Sequence, residues 1–204
     1  EPMLLAVGST MRRGAMPAPI AGAPESIKLF YRVVCAPDRI NDDLPLLLFL
    51  QGGPGGESPR PLSPTSDGWI EEAVKHFRVV LPDQRGTGRS SCVDGRTIAA
   101  LGERATAAGS DAARSQADFL KRHLSSSIVR DFEYLRLVGF GGKPWVTLGQ
   151  SYGGFLTLSY LSLFPEGVAA SFTCGGIPHV PASASEVYEH TFPRMAAKTQ
   201  QYYD

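Results

Sequence analysis

Ser151 sits at the centre of Gly149-Gln150-Ser151-Tyr152-Gly153, a G-x-S-x-G pentapeptide, and its flanks decide what that pattern means. Lys143 to Leu148 (Lys-Pro-Trp-Val-Thr-Leu) is a short β-favouring run, and Phe155 to Phe164 is apolar. The second stretch is long enough for about three helical turns. A serine between such segments stands where a strand turns sharply into a helix. That bend forces its backbone into a strained conformation and lifts its hydroxyl above the sheet, while a side chain at either glycine would collide with strand or helix. Read without its flanks, Ser151 is only a helix N-cap.

The rest of the chain alternates strand and helix. Ile27 to Ala36 is a β-rich strand candidate, and Pro37 to Asp43 is a polar turn. Leu46 to Leu50 is apolar on both faces, as in a central parallel strand covered by helices. Gly52 to Asp67 is a long loop rich in Gly, Pro and Ser. Trp69 to Phe77 reads as a helix with Trp69, Ala73, Val74 and Phe77 on one face, followed by a strand at Val79 to Leu81. Helices are expected around Thr97 to Ala107, within Asp111 to Leu124, and over Ser127 to Val138. In the last of these Glu133 and Arg136 can pair and Gly139 is the expected stop. Val168 to Cys174 is a further strand. This alternation predicts an α/β fold, a mostly parallel sheet wrapped by helices.

The two ends differ from that frame. Met11 to Pro24 is rich in Ala, Pro and Gly and reads as a loop or tether within an extension over residues 1–26. The core is expected over residues 27–182. From residue 183, Ser183 and Glu186 form a capping box, Val187, Tyr188, Phe192 and Met195 follow at helical spacing, and Pro193 should kink the helix or start a new one. Residues 183–204 read as the beginning of a helical cap lying over the sheet.

Two further motifs follow strands. Gln51-Gly52-Gly53-Pro54-Gly55-Gly56 lets backbone N–H groups approach a reacting carbonyl, and with the N–H of Tyr152 one of them can hold an oxyanion. A phosphate-cradling loop is excluded, because the P-loop lysine and hydroxyl residue are missing and no helix opens directly after the glycines. Asp83-Gln84-Arg85-Gly86-Thr87-Gly88-Arg89-Ser90 allows a tight turn, with Asp83 and Arg85 placed to pin neighbouring loops. A substrate contact by Arg85 or Arg89 is the alternative.

Together these stretches resemble the prolyl aminopeptidase (proline iminopeptidase) family of α/β-hydrolases. The likeness rests on Leu48 to Gly56, Leu81 to Ser90 and Gly149 to Phe155 in that order and spacing, and also on Ser58-Pro59-Arg60-Pro61-Leu62 and Ile128-Val129-Arg130-Asp131. It runs from about Ile27 to Asp204. The resemblance implies a serine peptidase that releases an N-terminal residue, preferably proline, from peptides with a free amino terminus. Ser151 would be the nucleophile, and the backbone N–H groups of Gly53 and Tyr152 would form the oxyanion hole, with Gly53 favoured over Gly52. No cofactor is implied. One departure is Gln51, where many members carry His before Gly-Gly. Within the same scaffold an esterase or a tripeptidyl-type aminopeptidase is the rival, and a catalytically incomplete, partner-binding domain is another.

Serine needs a histidine to take its proton and an acid to orient that histidine, in chain order Ser, acid, His for this scaffold. The chain has four histidines. His76 and His123 precede Ser151 and fall on expected helices, and His179 follows the last strand without a strand-borne acid before it. A Ser151–Glu186–His190 triad is rejected, because Glu186 and His190 would lie one helical turn apart on the cap. The acid and base, with the strands that carry them, are therefore expected outside this chain.

The whole-chain balance narrows the partners. Acidic and basic residues number 20 each, so there is no electrostatic footprint for nucleic acid or an anionic membrane. The longest apolar run, Leu44 to Leu50, is far short of a bilayer span. Three well-separated cysteines, Cys35, Cys92 and Cys174, argue against a disulfide framework and for a reducing compartment, hence an expected cytoplasmic location. None has metal-ligand spacing, and the oligomeric state is not legible.

Overall fold

The computed structural model describes residues 5–13, 26–63, 68–176 and 183–204. Six strands form one sheet: β1 (Leu5–Arg13), β2 (Ile27–Cys35), β3 (Leu46–Leu50), β4 (Arg78–Pro82), β5 (Trp145–Gln150) and β6 (Val168–Cys174). Their order is β1-β2-β4-β3-β5-β6. β3 pairs in parallel with β4 and β5, and β5 in parallel with β6. β1 and β2 are antiparallel additions at one edge. The sheet is thus mostly parallel, as the alternation of segments implies.

β3 is central because all five of its side chains are buried, so it needs cover on both faces. Leu46, Leu48 and Leu50 join Trp145, Phe132, Leu156 and Tyr160 on one side. Leu47 and Phe49 join Ile70, Val74, Val79 and Leu81 on the other. The first side is covered by α4 (Ser125–Gly139) and α5 (Tyr152–Leu163), the second by the short α1 (Ile70–Ala73). α1 is shorter than its apolar spacing suggests, yet Trp69, Ala73, Val74 and Phe77 all pack on that second cluster, together with Ile70. Asp94 and Asp111 cap α2 (Gly95–Ala107) and α3 (Ala112–Lys121) by accepting the backbone N–H groups of Thr97 and Arg114.

Three expectations need correction. Met11 to Arg13 is strand rather than tether: β1 pairs with β2 over its whole length, from Leu5 opposite Cys35 to Arg13 opposite Ile27. Residues 14–25 lie outside the described residues. Gly139 does not stop α4. The helix runs through it, and the chain turns at Gly141 and Gly142, whose φ values of 65° and 77° favour glycine. The helix expected after Ser183 is two: α6 (Ala184–Glu189), with its capping box present, and α7 (Thr191–Tyr203), with Pro193 in its first turn.

The order of strands places the site. From β3 the chain crosses to β4 on one side, while β5 and then β6 lie on the other. The segments that follow β3 and β5 therefore leave in opposite directions and open a crevice at the carboxyl ends of the strands, where ligands of open α/β sheets bind.

Candidate active site

Ser151 stands at that crevice, between the last residue of β5 and the first of α5. Its φ of 53° with ψ of −116° makes it the non-glycine residue with positive φ among the described residues. Such a conformation costs on the order of 1–3 kcal/mol and persists only where the surroundings enforce it. The surroundings do so here. The Ser151 N–H donates to the Cys174 carbonyl of β6 at 2.8 Å, and the Ser151 carbonyl accepts from Gly154 N–H at 2.9 Å. The flanking glycines have no room for a Cβ. At Gly149 it would meet Thr157 Oγ1 at 2.5 Å, and at Gly153 it would strike the Leu50 carbonyl of β3. Both collisions expected from the sequence, with helix and with neighbouring strand, are present.

The glycine loop after β3 reaches the serine. A Cβ at the buried Gly52 would lie 2.9 Å from the Gln150 carbonyl and 3.1 Å from Ser151 Cβ. Gly52 N–H already donates to Gln51 Oε1 at 2.8 Å. Gly53 is exposed with φ of 110°, and its N–H has no acceptor among the described residues. Tyr152 opens α5, so its N–H is one of the donors a helix start leaves without an intrahelical partner. Its phenol is half-buried, stacks beside Phe155, and is pushed upward in pKa by burial.

The segment after β4 is a scaffold. Asp83 is buried and accepts from Ser58 N–H (3.0 Å), Arg60 Nη2 (2.9 Å) and Arg89 N–H (2.8 Å). Gln84, also buried, donates from Nε2 to the Gln51 carbonyl at 2.8 Å. Arg85 is committed away from the crevice. Its guanidinium makes a two-point contact with Asp131 of α4 (2.5 and 2.6 Å) and donates to the Arg122 carbonyl (2.6 Å). Asp131 as its partner is not legible in the sequence, because nothing local links residues 46 positions apart.

No described histidine is placed to serve Ser151. His76 is exposed beside Glu72, at 3.2 Å. His123 is half-buried with Nδ1 3.0 Å from the Phe119 carbonyl, and burial pushes its pKa down. His190 is exposed at the junction of α6 and α7. Glu186 is used as a cap, its Oε2 accepting Ser183 N–H at 2.6 Å, which leaves the rejected triad without its acid. His179 lies outside the described residues. A groove of about 390 Å³ runs beside α5, lined by Ser125, Ser126, Tyr152, Phe155, Ser159 and Leu163 among others. It borders the bend at Tyr152 only.

Comparison with known proteins agrees with this geometry. Residues 45–204 match the model of the alpha/beta hydrolase fold family. The chain is 44% identical over 179 residues to a proline iminopeptidase of Aeromonas sobria, covering 88% of this chain and 39% of that protein. It is 32% identical over 185 residues to a proline iminopeptidase of Aspergillus aculeatus, again covering 39% of the relative. A proline iminopeptidase of Neisseria gonorrhoeae is 30% identical over 132 residues, covering 63% of this chain and 31% of that protein. The chain thus spans well under half the length of the curated relatives it matches. Among the described residues no helix is long and apolar enough to cross a membrane.

Proposed function

The chain belongs to the alpha/beta hydrolase fold family, and on that premise we propose that it carries the nucleophile and oxyanion site of a serine aminopeptidase that releases N-terminal proline from peptides. The observation that carries the proposal is the strained Ser151, held at positive φ with Gly52 packed against its Cβ. The proline preference is supported by the proline iminopeptidases that the chain resembles over most of its length.

Ser151 Oγ attacks the carbonyl carbon of the N-terminal residue and gives its proton to a general base. The new oxyanion is received by the N–H groups of Gly53 and Tyr152, each such donor contributing about 3 to 4 kcal/mol to the transition state. Collapse breaks the C–N bond, and the departing amine takes the proton from the base. Water then cleaves the ester, freeing proline and restoring the hydroxyl. The base and its orienting acid come from residues outside these 204. That assignment is supported by the engagement of His76 and His123 elsewhere and by the greater length of the relatives. Arg85 positions loops rather than substrate. A cytoplasmic location is supported by three free cysteines, two of them exposed.

The test is hydrolysis by the full polypeptide that carries this chain, with a proline arylamide and an aryl ester at equal concentration. Preferential release of proline is expected. A clear preference for the ester would transfer the site to an esterase.

A further inference from the structure

The crevice has two candidate glycine donors, and the hydrogen bonds around them choose between the two. β3 and β4 are neighbours, so the residues that follow them, Gln51 after β3 and Asp83-Gln84 after β4, meet side by side. Gln84 Nε2 donates to the Gln51 backbone carbonyl at 2.8 Å from a fully enclosed position. The Gln51 side chain folds back over its own loop. Its Oε1 accepts from Gly52 N–H at 2.8 Å, and its Nε2 donates to the Glu57 carbonyl at 2.8 Å. The far end of the loop is tied to β4 as well, Ser58 donating from N–H to Asp83 Oδ1 and from Oγ to the Pro82 carbonyl. Both ends of the loop are thus fastened to the same strand, and one carboxamide bridges the span between them.

We infer that Gln51 and Gln84 are positioning residues that set the oxyanion donor. Gln51 consumes the Gly52 N–H and Gln84 holds the preceding peptide, so that Gly53 N–H is the group left to face the reacting carbonyl. The inference rests on Ser151 being the nucleophile proposed above. Rotation of the 51–52 peptide would release Gly52 N–H, but only by giving up its bond to Gln51. Gly52 is also pressed against Ser151 Cβ, so movement of this loop moves the donor relative to the attacking oxygen. Negative charge on the carbonyl oxygen exists only near the transition state. Misplacing the donor therefore lowers kcat and leaves ground-state binding nearly as it was.

The experiment compares Gln51→Met and Gln84→Met, which keep length but lose the amide, with the parent in the full polypeptide. Both the proline arylamide and the aryl ester are used. A donor removed outright costs about 10²–10³ in kcat. A donor displaced is expected to cost about tenfold to a hundredfold in kcat for both substrates, with KM within about threefold. Gln51→His, whose neutral ring offers one donor and one acceptor, is expected to recover most of the loss. Folded variants with kcat within about twofold of the parent, or with the loss confined to KM, overturn the inference. Should Gln84→Met fail to fold, Gln51→Met decides alone, since Gln51 is only partly buried. A parent that cleaves the ester but spares the arylamide removes the proline assignment and leaves this inference to be decided on the ester. A parent that cleaves neither removes both.

Discussion

The rim where β3, β4 and β5 end and the outer side of β6 with α7 are built on opposite terms. At the rim, polar residues are buried and paired: Asp83 with Ser58, Arg60 and Arg89, Gln84 with the Gln51 carbonyl, Arg85 with Asp131. On the other side, apolar residues are open. Phe172 of β6 is 57% exposed, and Phe192 and Met195 of α7 are 70% and 58% exposed. β6 pairs only with β5, and no residue of α7 is buried. A strained backbone needs fixed partners on every side, so the site's supports are polar and internal. An apolar stripe records only a preference for cover, and cover is a tertiary matter.

The comparison is broken most directly at Ser151. Ser151→Ala in the full polypeptide should lower turnover by several orders of magnitude while leaving the fold intact. Turnover close to that of the parent would remove the rim from the chemistry. Ser151→Gly should be equally inactive but more stable by about 1 kcal/mol, because glycine accepts the positive φ without strain.

Next in size is the buried ion pair. Asp131→Ala leaves Arg85 enclosed without its carboxylate and should cost about 3–5 kcal/mol in urea unfolding. The double variant Arg85→Met/Asp131→Leu should recover most of that loss, since neither charge then remains to be desolvated. A loss below about 1 kcal/mol for Asp131→Ala would place this pair with ordinary surface pairs.

A smaller effect is pH-dependent. Burial holds the His123 imidazole below its ordinary range, with Arg85 lowering it further and Asp131 opposing. Across the interval between that lowered value and the ordinary ~6.5, the unfolded chain binds the proton that the folded chain refuses. Stability from this group is therefore full above ~6.5 and declines as pH falls below it. His123→Gln should flatten the stability profile between about pH 7.5 and 5.5. An unchanged slope would show that the half-buried ring is not titrating differently on folding.

The smallest effect is expected on the open side. Phe172→Ser should change the stability of this chain by no more than about 0.5 kcal/mol, whereas Leu48→Ala at the sheet centre should cost about 2–5 kcal/mol. Calorimetric unfolding compares the two. A large loss at Phe172 would mean that β6 is covered after all.

What was legible in the sequence divides along the same line. The five apolar residues of β3, the β-favouring run of β5 and the glycines around Ser151 are local signals, and each fixes a strand or a turn by its own sterics. The Glu133–Arg136 pair was legible as well, being one helical turn apart. β1 was not, because Leu-Ala-Val-Gly-Ser-Thr-Met-Arg-Arg shows neither alternation nor an apolar run, and its strand character comes from pairing with β2. Gly139 misled because a glycine near a helix end suggests a stop, while the required positive φ falls at Gly141. Gln51 could be seen only as a departure from the usual residue. Its two hydrogen bonds depend on how the loop folds back, which no spacing encodes.

The central claim is that Ser151 Oγ is the nucleophile. Treatment of the full polypeptide with a fluorophosphonate, followed by peptide mass spectrometry, tests it most directly. The expected result is one adduct on Ser151, acquired in step with loss of turnover and missing in Ser151→Ala. Complete inactivation with the adduct on another residue, or full activity after Ser151 is labelled, would contradict it.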